Sequence, residues 1–146
     1  MTKKTDSTLK KSIYRILDAN INRLREALRV VEEVARFIVG DKKCTQDIKR
    51  CRHTVQKILS QLSIEEHQIE LCRDSQNDVG KNIKSESEAN RNGVEDILMA
   101  NLHRAEESLR VLEEFFKIYE QDASLQCKKL RFEIYSIEKE MLKKII

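Results

Sequence analysis

Apolar residues recur along this chain at the three- and four-residue spacing of an α-helix. Ile16, Leu17, Leu24, Ala27, Leu28, Val31, Val34, Ala35 and Ile38 share one broad helical face. The pattern predicts a first helix over about 8–39, stopped by Gly40, with Asp41 capping the next helix. That second helix carries Ile48, Cys51, Val55, Ile58, Leu59 and Leu62 at helical spacing. Ser63 marks a break, and IEEHQIELC predicts a short third helix near 64–71. Residues 73–93, RDSQNDVGKNIKSESEANRNG, form a polar loop region holding Gly80 and Gly93. Helical pattern resumes as early as Ser85 and runs clearly through Tyr119. Ile97, Leu98, Ala105, Leu109, Leu112, Phe115 and Phe116 lie on its apolar face, and Asp122 is expected to cap the last helix.

One stretch occurs twice. Residues 19–33 read ANINRLREALRVVEE and residues 100–114 read ANLHRAEESLRVLEE, with nine of fifteen positions identical at an offset of 81. The echo continues at an offset of 79, where KRCRHTVQ (49–56) meets KKLRFEIY (128–135). A whole helical hairpin is therefore repeated, over about 14–62 and 92–142, with the loop inserted between the copies. Two such hairpins predict an all-α, antiparallel four-helix bundle with pseudo-twofold symmetry, in a single domain over 1–146. Asn20 and Asn101 are expected to meet near the pseudo-twofold axis. Tyr14, Phe115 and Phe116 are candidates for a homodimer patch.

The identical positions are largely polar: Asn20/Asn101, Arg23/Arg104, Glu26/Glu107, Arg29/Arg110, Glu32/Glu113 and Glu33/Glu114. Packing alone requires only the apolar stripe to recur, so these residues point to a shared polar site. Two readings stand for the asparagines: a register-fixing pair, or amides that reach a ligand. Two also stand for the charged edge. Surface ion pairs at i,i+3 would account for it. So would a site in which arginines offer forked donors to phosphate oxygens and Glu26 and Glu107 hold Mg²⁺ beside them. In the loop, Arg73, Asp74, Asp78 and Gly80 either make turns or complete that site. Lys117, Arg36, Arg52, Arg131 and Tyr135 extend the polar inventory around it.

Composition narrows the classes. The 146 residues contain no proline, three glycines and 36% charged side chains, as in a long-helix protein. Its 28 basic and 25 acidic residues are interleaved, so a net charge of +3 does not argue for nucleic acid. Cys44, Cys51, Cys72 and Cys127 lack ligand spacing and read as small apolar groups. No apolar run approaches the ~18 residues of a membrane span, and the N-terminus lacks a secretory core. A reducing cytoplasm is the expected location. There is no GxxxxGK[ST], GxGxxG or HRD-type loop.

Three blocks in order, YRILDANINRLREALRVVEEVARF, RDSQNDVG and ANLHRAEESLRVLEEFFKI, resemble a helical domain fused ahead of thiamine-phosphate synthase in some bacteria. The resemblance covers roughly 13–140. Ser75 and Gln76 depart from it, because Thr-Pro is common there in that family. The family is assigned as a monofunctional hydroxymethylpyrimidine phosphate kinase, and the domain is expected to stand alone here, without the synthase barrel. The resemblance implies ATP-dependent phosphorylation of hydroxymethylpyrimidine phosphate to the diphosphate in thiamine biosynthesis, with Mg²⁺ and ATP. The reaction comes from the resemblance and the location from the duplicated polar set and the loop, which make Asn20, Arg23, Arg29, Arg73, Asp74, Asn101, Arg104, Arg110 and Lys117 candidates for substrate and phosphate contacts. Glu26, Glu107 and Asp78 are the candidate catalytic groups. The alternative it allows is a non-catalytic helical partner of thiamine-phosphate synthase that binds the same pyrimidine phosphate.

Overall fold

The computed structural model describes residues 3–146 and is all-helical, with no strand among the described residues. Four long helices, α1 (Lys3–Glu33), α2 (Lys42–Ser60), α5 (Val94–Tyr119) and α6 (Gln121–Ile145), are joined by two short ones, α3 (Glu66–Glu70) and α4 (Glu86–Ala89). Helix α1 packs against α2 and α5, and α6 packs against the same two helices. Leu17, Leu24, Leu28, Val31, Ile48, Leu98, Leu102, Leu109, Leu112, Phe116, Leu130 and Ile134 are fully enclosed where they meet. The 3.6-residue stripe thus does what its spacing requires: each long helix turns one apolar face inward and leaves most of its charges outside, Asp18, Glu32, Glu106 and Glu113 being buried.

The helix signals act largely as expected. Gly40 takes φ 69°, the left-handed conformation that glycine adopts without a Cβ penalty, and its N–H donates to the Ala35 carbonyl. The Asp41 carboxylate accepts from the Cys44 N–H at 2.7 Å and starts α2. Glu65 and Gln68 form a reciprocal capping box on α3. One cap is different. Helix α6 begins at Gln121, directly after Glu120, so Asp122 lies inside its first turn and is not the cap. The Glu120 carboxylate instead accepts from the Ser63 N–H at 2.9 Å and from the Ser63 hydroxyl, tying the α5–α6 corner to the end of α2. Within the predicted loop, residues 86–89 close one extra turn capped by Ser85.

Residues Val34–Val39 depart from α-geometry and form a π-helix. The first hairpin is two residues longer than the second between Arg29 and Arg52 and their counterparts Arg110 and Arg131. A π-turn takes up surplus chain without dephasing the helix before it. The rotation it introduces moves Ile38 off the apolar face predicted for it: Ile38 is 58% exposed and Phe37 67%, while Val34 and Ala35 stay buried.

Directions follow from side-chain contacts. Tyr14 near the start of α1 meets Tyr119 at the end of α5 edge-on, ring centroids 6.3 Å apart. Lys144 at the end of α6 reaches Asp41 at the start of α2, 2.8 Å away. Each of these pairs therefore runs antiparallel. This alignment corrects the expected meeting of the asparagines. At ~1.5 Å per residue, Asn20 lies roughly 9 Å below the Tyr14–Tyr119 level and Asn101 roughly 27 Å below it. The aromatic dimer patch is also corrected, since Tyr14 and Phe116 are buried in this chain's own core and Phe115 is half-buried against it.

Candidate functional site

Asn20 and Asn101 do the same thing in each copy. Each side-chain amide donates back to a carbonyl one turn earlier, Asn20 to Ile16 and Asn101 to Ile97, both at 2.8 Å. They satisfy themselves within their own helices and do not fix register across the axis. The Asn20 oxygen is left facing Arg23, whose guanidinium lies 3.5 Å away.

The most conserved-looking feature of the repeat, its Arg/Glu pattern, splits in two. Glu32 is 1% exposed and accepts from Arg52 of α2 at 2.5 Å, with Arg29 3.9 Å away. Glu113 is 4% exposed and accepts from Arg131 of α6 at 2.9 Å and from Arg110 at 3.1 Å. These are equivalent clamps, one inside each hairpin. Burial pushes the Glu113 carboxyl up, but Arg131 and Arg110 outweigh it and hold the group below its ordinary value. Arg110 also reaches Glu114 at 2.9 Å, and Lys117 is tied to Glu114 at 2.7 Å. Identity at Arg29/Arg110 and Glu32/Glu113 is thereby explained by hairpin assembly.

The rest of the duplicated set lies on the surface. In the antiparallel alignment, Glu26 is level with Glu107, Arg23 with Arg110 and Arg29 with Arg104. All six are exposed, and no hydrogen bond or ion pair joins α1 to α5 among them. Glu26 and Glu107 belong to no cluster of ligand atoms with metal spacing among the described residues.

Chain-distant polar groups do come together on the first copy. A cavity of about 620 Å³ is lined by Arg15, Asp18, Asn20, Asn22, Arg23, Arg73, Asp74 and Asp78, with Ser12, Ile16, Ala19 and Ser75 completing its wall. The loop is docked there by a forked pair. The Arg73 Nε and a terminal nitrogen donate to the two oxygens of Asp18, each at 2.7 Å. Asp18 is 5% exposed, so this pairing is what permits its burial. Arg15 adds a bond to the Asp74 carbonyl at 3.3 Å. Asp74 and Asp78 make the turns: Asp74 accepts from the Asn77 side chain and N–H, and Asp78 accepts from the Gly80 N–H at 2.9 Å. Those bonds from Asn77 hold the Asp74 carboxyl below its ordinary value. Among the described residues Arg15 and Arg23 make no ion-pair contact, although the Arg15 charge helps to lower Asp74, so two guanidiniums face the cavity with donors to spare.

A second cavity, of about 710 Å³, opens between α1 and α2. Arg25, Arg29, Arg36, Lys49 and Arg52 line it against Glu26 and Glu32. Arg25 is engaged by Glu66 at 2.5 Å, and the Arg36 guanidinium stacks on the Phe37 ring. Of the expected site residues, the structure thus gathers Asn20, Arg23, Arg73, Asp74 and Asp78 in one cavity, and Glu26 and Arg29 in the next. Asn101, Arg104, Glu107, Arg110 and Lys117 line neither. Sequence reasoning missed Asp18 and Arg15. The available signal was that position 18 breaks the repeat, since its counterpart is Met99.

Fold and site together define an all-helical protein with a polar, arginine-bearing cavity formed between α1 and the segment that begins at Arg73. The chain belongs to the ThiD2 family, whose model matches residues 15–140. It is 41% identical over 133 residues to a thiamine-phosphate synthase of Synechocystis sp., covering 90% of this chain and 36% of that protein. Thiamine-phosphate synthases of Nostoc punctiforme and Rhodopirellula baltica are 35% and 32% identical over 130 and 131 residues. These matches cover 89% and 90% of this chain and 35% and 34% of theirs. The chain thus spans about a third of the length of these relatives. No solved structure matches it significantly. These findings place the chain in thiamine biosynthesis.

They also correct the expectation of a hydroxymethylpyrimidine phosphate kinase. The relatives are named thiamine-phosphate synthase, a transferase but not a kinase, and the helical stretch forms part of that longer protein. The catalytic roles expected of Glu26, Glu107 and Asp78, and the use of ATP, belonged to that phosphorylation. No helix among the described residues is long and apolar enough to cross a membrane.

Proposed function

We propose that the chain is a non-catalytic helical partner of thiamine-phosphate synthase that binds the synthase's pyrimidine phosphate substrate. The scaffold is read as two repeated hairpins in an antiparallel four-helix bundle, of which the first copy carries the ligand. The observation that supports this most is the cavity joining Asn20 and Arg23 of α1 to Arg73, Asp74 and Asp78 of the loop.

Its chemistry suits a small molecule with an anionic end and an amino-substituted ring. Arg15 and Arg23 provide unpaired guanidiniums for phosphate oxygens. Carboxylates and amides beside them accept from a ring amino group and donate to ring nitrogens. Arg73 and Asp18 act by positioning the loop wall. The names of the relatives support the pathway and the partner.

Isothermal titration of the chain with hydroxymethylpyrimidine phosphate and with its unphosphorylated alcohol tests the reading. The phosphate should bind and the alcohol should bind at least ~10-fold more weakly, as loss of a charge-assisted contact of about 1.5–3 kcal/mol requires. Arg23→Ala should weaken the phosphate ester to a similar degree while leaving the helical circular dichroism unchanged. Absence of binding at millimolar ligand, or equal affinity for ester and alcohol, refutes it.

A further inference from the structure

Helices α5 and α6 hold a polar cluster that belongs to neither cavity. His103 and Glu106 are three residues apart on α5, and Glu138 comes across from α6. One ligand-type atom from each lies within 4.8 Å of the others. The His103 Nε2 is 3.2 Å from a Glu138 oxygen. Glu106 is only 7% exposed, and its Oε2 is buried with no hydrogen-bond donor. Two carboxyl groups therefore face each other at a largely enclosed point, with one oxygen unsatisfied. Burial first and the Glu138 charge second push Glu106 up to about 8.

We propose that His103, Glu106 and Glu138 bind one first-row divalent cation of the Mn²⁺ type. One imidazole nitrogen and two carboxylates form a mixed set that suits such ions, and three ligands leave positions for water. A cation would supply the partner that Glu106 Oε2 lacks and offset the repulsion between the two carboxylates. Glu107 adds negative charge beside Glu106; Arg131 offsets part of it but is bound to Glu113 through a terminal nitrogen, and its buried Nε has no hydrogen-bond acceptor. The site is particular to the second copy. The counterparts of His103 and Glu106 are Asn22 and Arg25, and Arg25 is spent on Glu66. It is separate from the pyrimidine phosphate cavity and does not depend on that reading.

Mn²⁺ titration of the full chain, followed by loss of the free-ion electron paramagnetic resonance signal, tests the site. Mn²⁺ is the probe because the buried thiols favour softer metals. One ion per chain should bind. Glu106→Gln, Glu138→Gln and His103→Asn should each weaken it by roughly 10–100-fold or more, whereas Glu26→Gln should leave it unchanged. His103 is exposed, so its variant tests the site without touching the core. No uptake at millimolar Mn²⁺, or uptake retained by His103→Asn and Glu106→Gln in folded proteins, overturns the proposal. So does a metal-free gain in stability of Glu106→Gln with no Mn²⁺ bound by the wild type, because the cluster would then be a proton-sharing pair.

Discussion

Replacing Arg131 by Met removes the principal partner of a carboxylate that is 4% exposed. The Glu113–Arg131 bond is 2.9 Å long, and the Arg131 side chain is itself only 13% exposed. Leaving a buried charge with no partner costs about 3–5 kcal/mol. Here Arg110 remains 3.1 Å away, though its side chain is 55% exposed and it also serves Glu114. That residual pairing lowers the expected loss to about 2–3 kcal/mol. It is a large part of the ~5–15 kcal/mol that holds an ordinary domain folded. In melting temperature the same loss is roughly 4–12 °C for a chain of this size. Urea unfolding followed by circular dichroism measures it, with the slope unchanged if only the folded state is affected. The double variant Glu113→Gln, Arg131→Met removes the charge along with its partner. It should recover about 1–2 kcal/mol of the sum of the two single losses. If Arg131→Met falls within about 0.5 kcal/mol of the wild type, or the double variant loses the plain sum, the clamp is not what stabilises the second hairpin.

The other expectations concern the loop, pH and the thiols. Arg73→Ala leaves Asp18 buried without its fork, so limited proteolysis should cut the 71–93 segment several-fold faster than in the wild type; unchanged cutting argues against docking through that pair. Glu113 and Asp41 both titrate below their ordinary values in the folded chain, Glu113 against its burial through Arg131, and Asp41 through the Cys44 N–H and Lys144. Stability from such depressed carboxylates is present above their ordinary values and lost as pH falls through the folded ones. The melting temperature should thus drop on acidification below about pH 4, less so in Glu113→Gln, and a flat acid profile contradicts it. Cys44, Cys51 and Cys127 are buried, and burial pushes their thiols up to about 11, 12 and 12. A disulfide reagent should therefore modify Cys72, which is half-buried, well before any of the others in the native chain; simultaneous reaction of all four would show the core is open.

The helical stripe, the Gly40 stop and the Asp41 cap were legible because each is a local rule with its own residues. The π-turn was not: the change of offset from 81 to 79 shows that the first hairpin is two residues longer, but no local residue signal says where the surplus is taken up. The last helix was mis-capped for a similar reason: the Ser63 contact that holds Glu120 comes from 57 residues away. Within the site, identity between copies pointed in the wrong direction for part of the set. Glu32 and Glu113 recur because each hairpin needs the same bolt between its two helices. The cavity joins two residues the copies share, Asn20 and Arg23, to others the repeat lacks, Asp18 opposite Met99 and a loop present once.

The π-turn at Val34–Val39 also says what the two clamps are sensitive to. An extra residue inside a regular helix swings everything beyond it by about 100°. Had the first hairpin kept strict α-geometry to its corner, α2 would enter at another angle and Arg52 would miss Glu32. By widening one turn, the chain keeps the angular setting of both helices while its residue count drifts. The Arg–Glu clamps therefore read phase and are indifferent to length, and the corner between α1 and α2 works as the expansion joint of the fold.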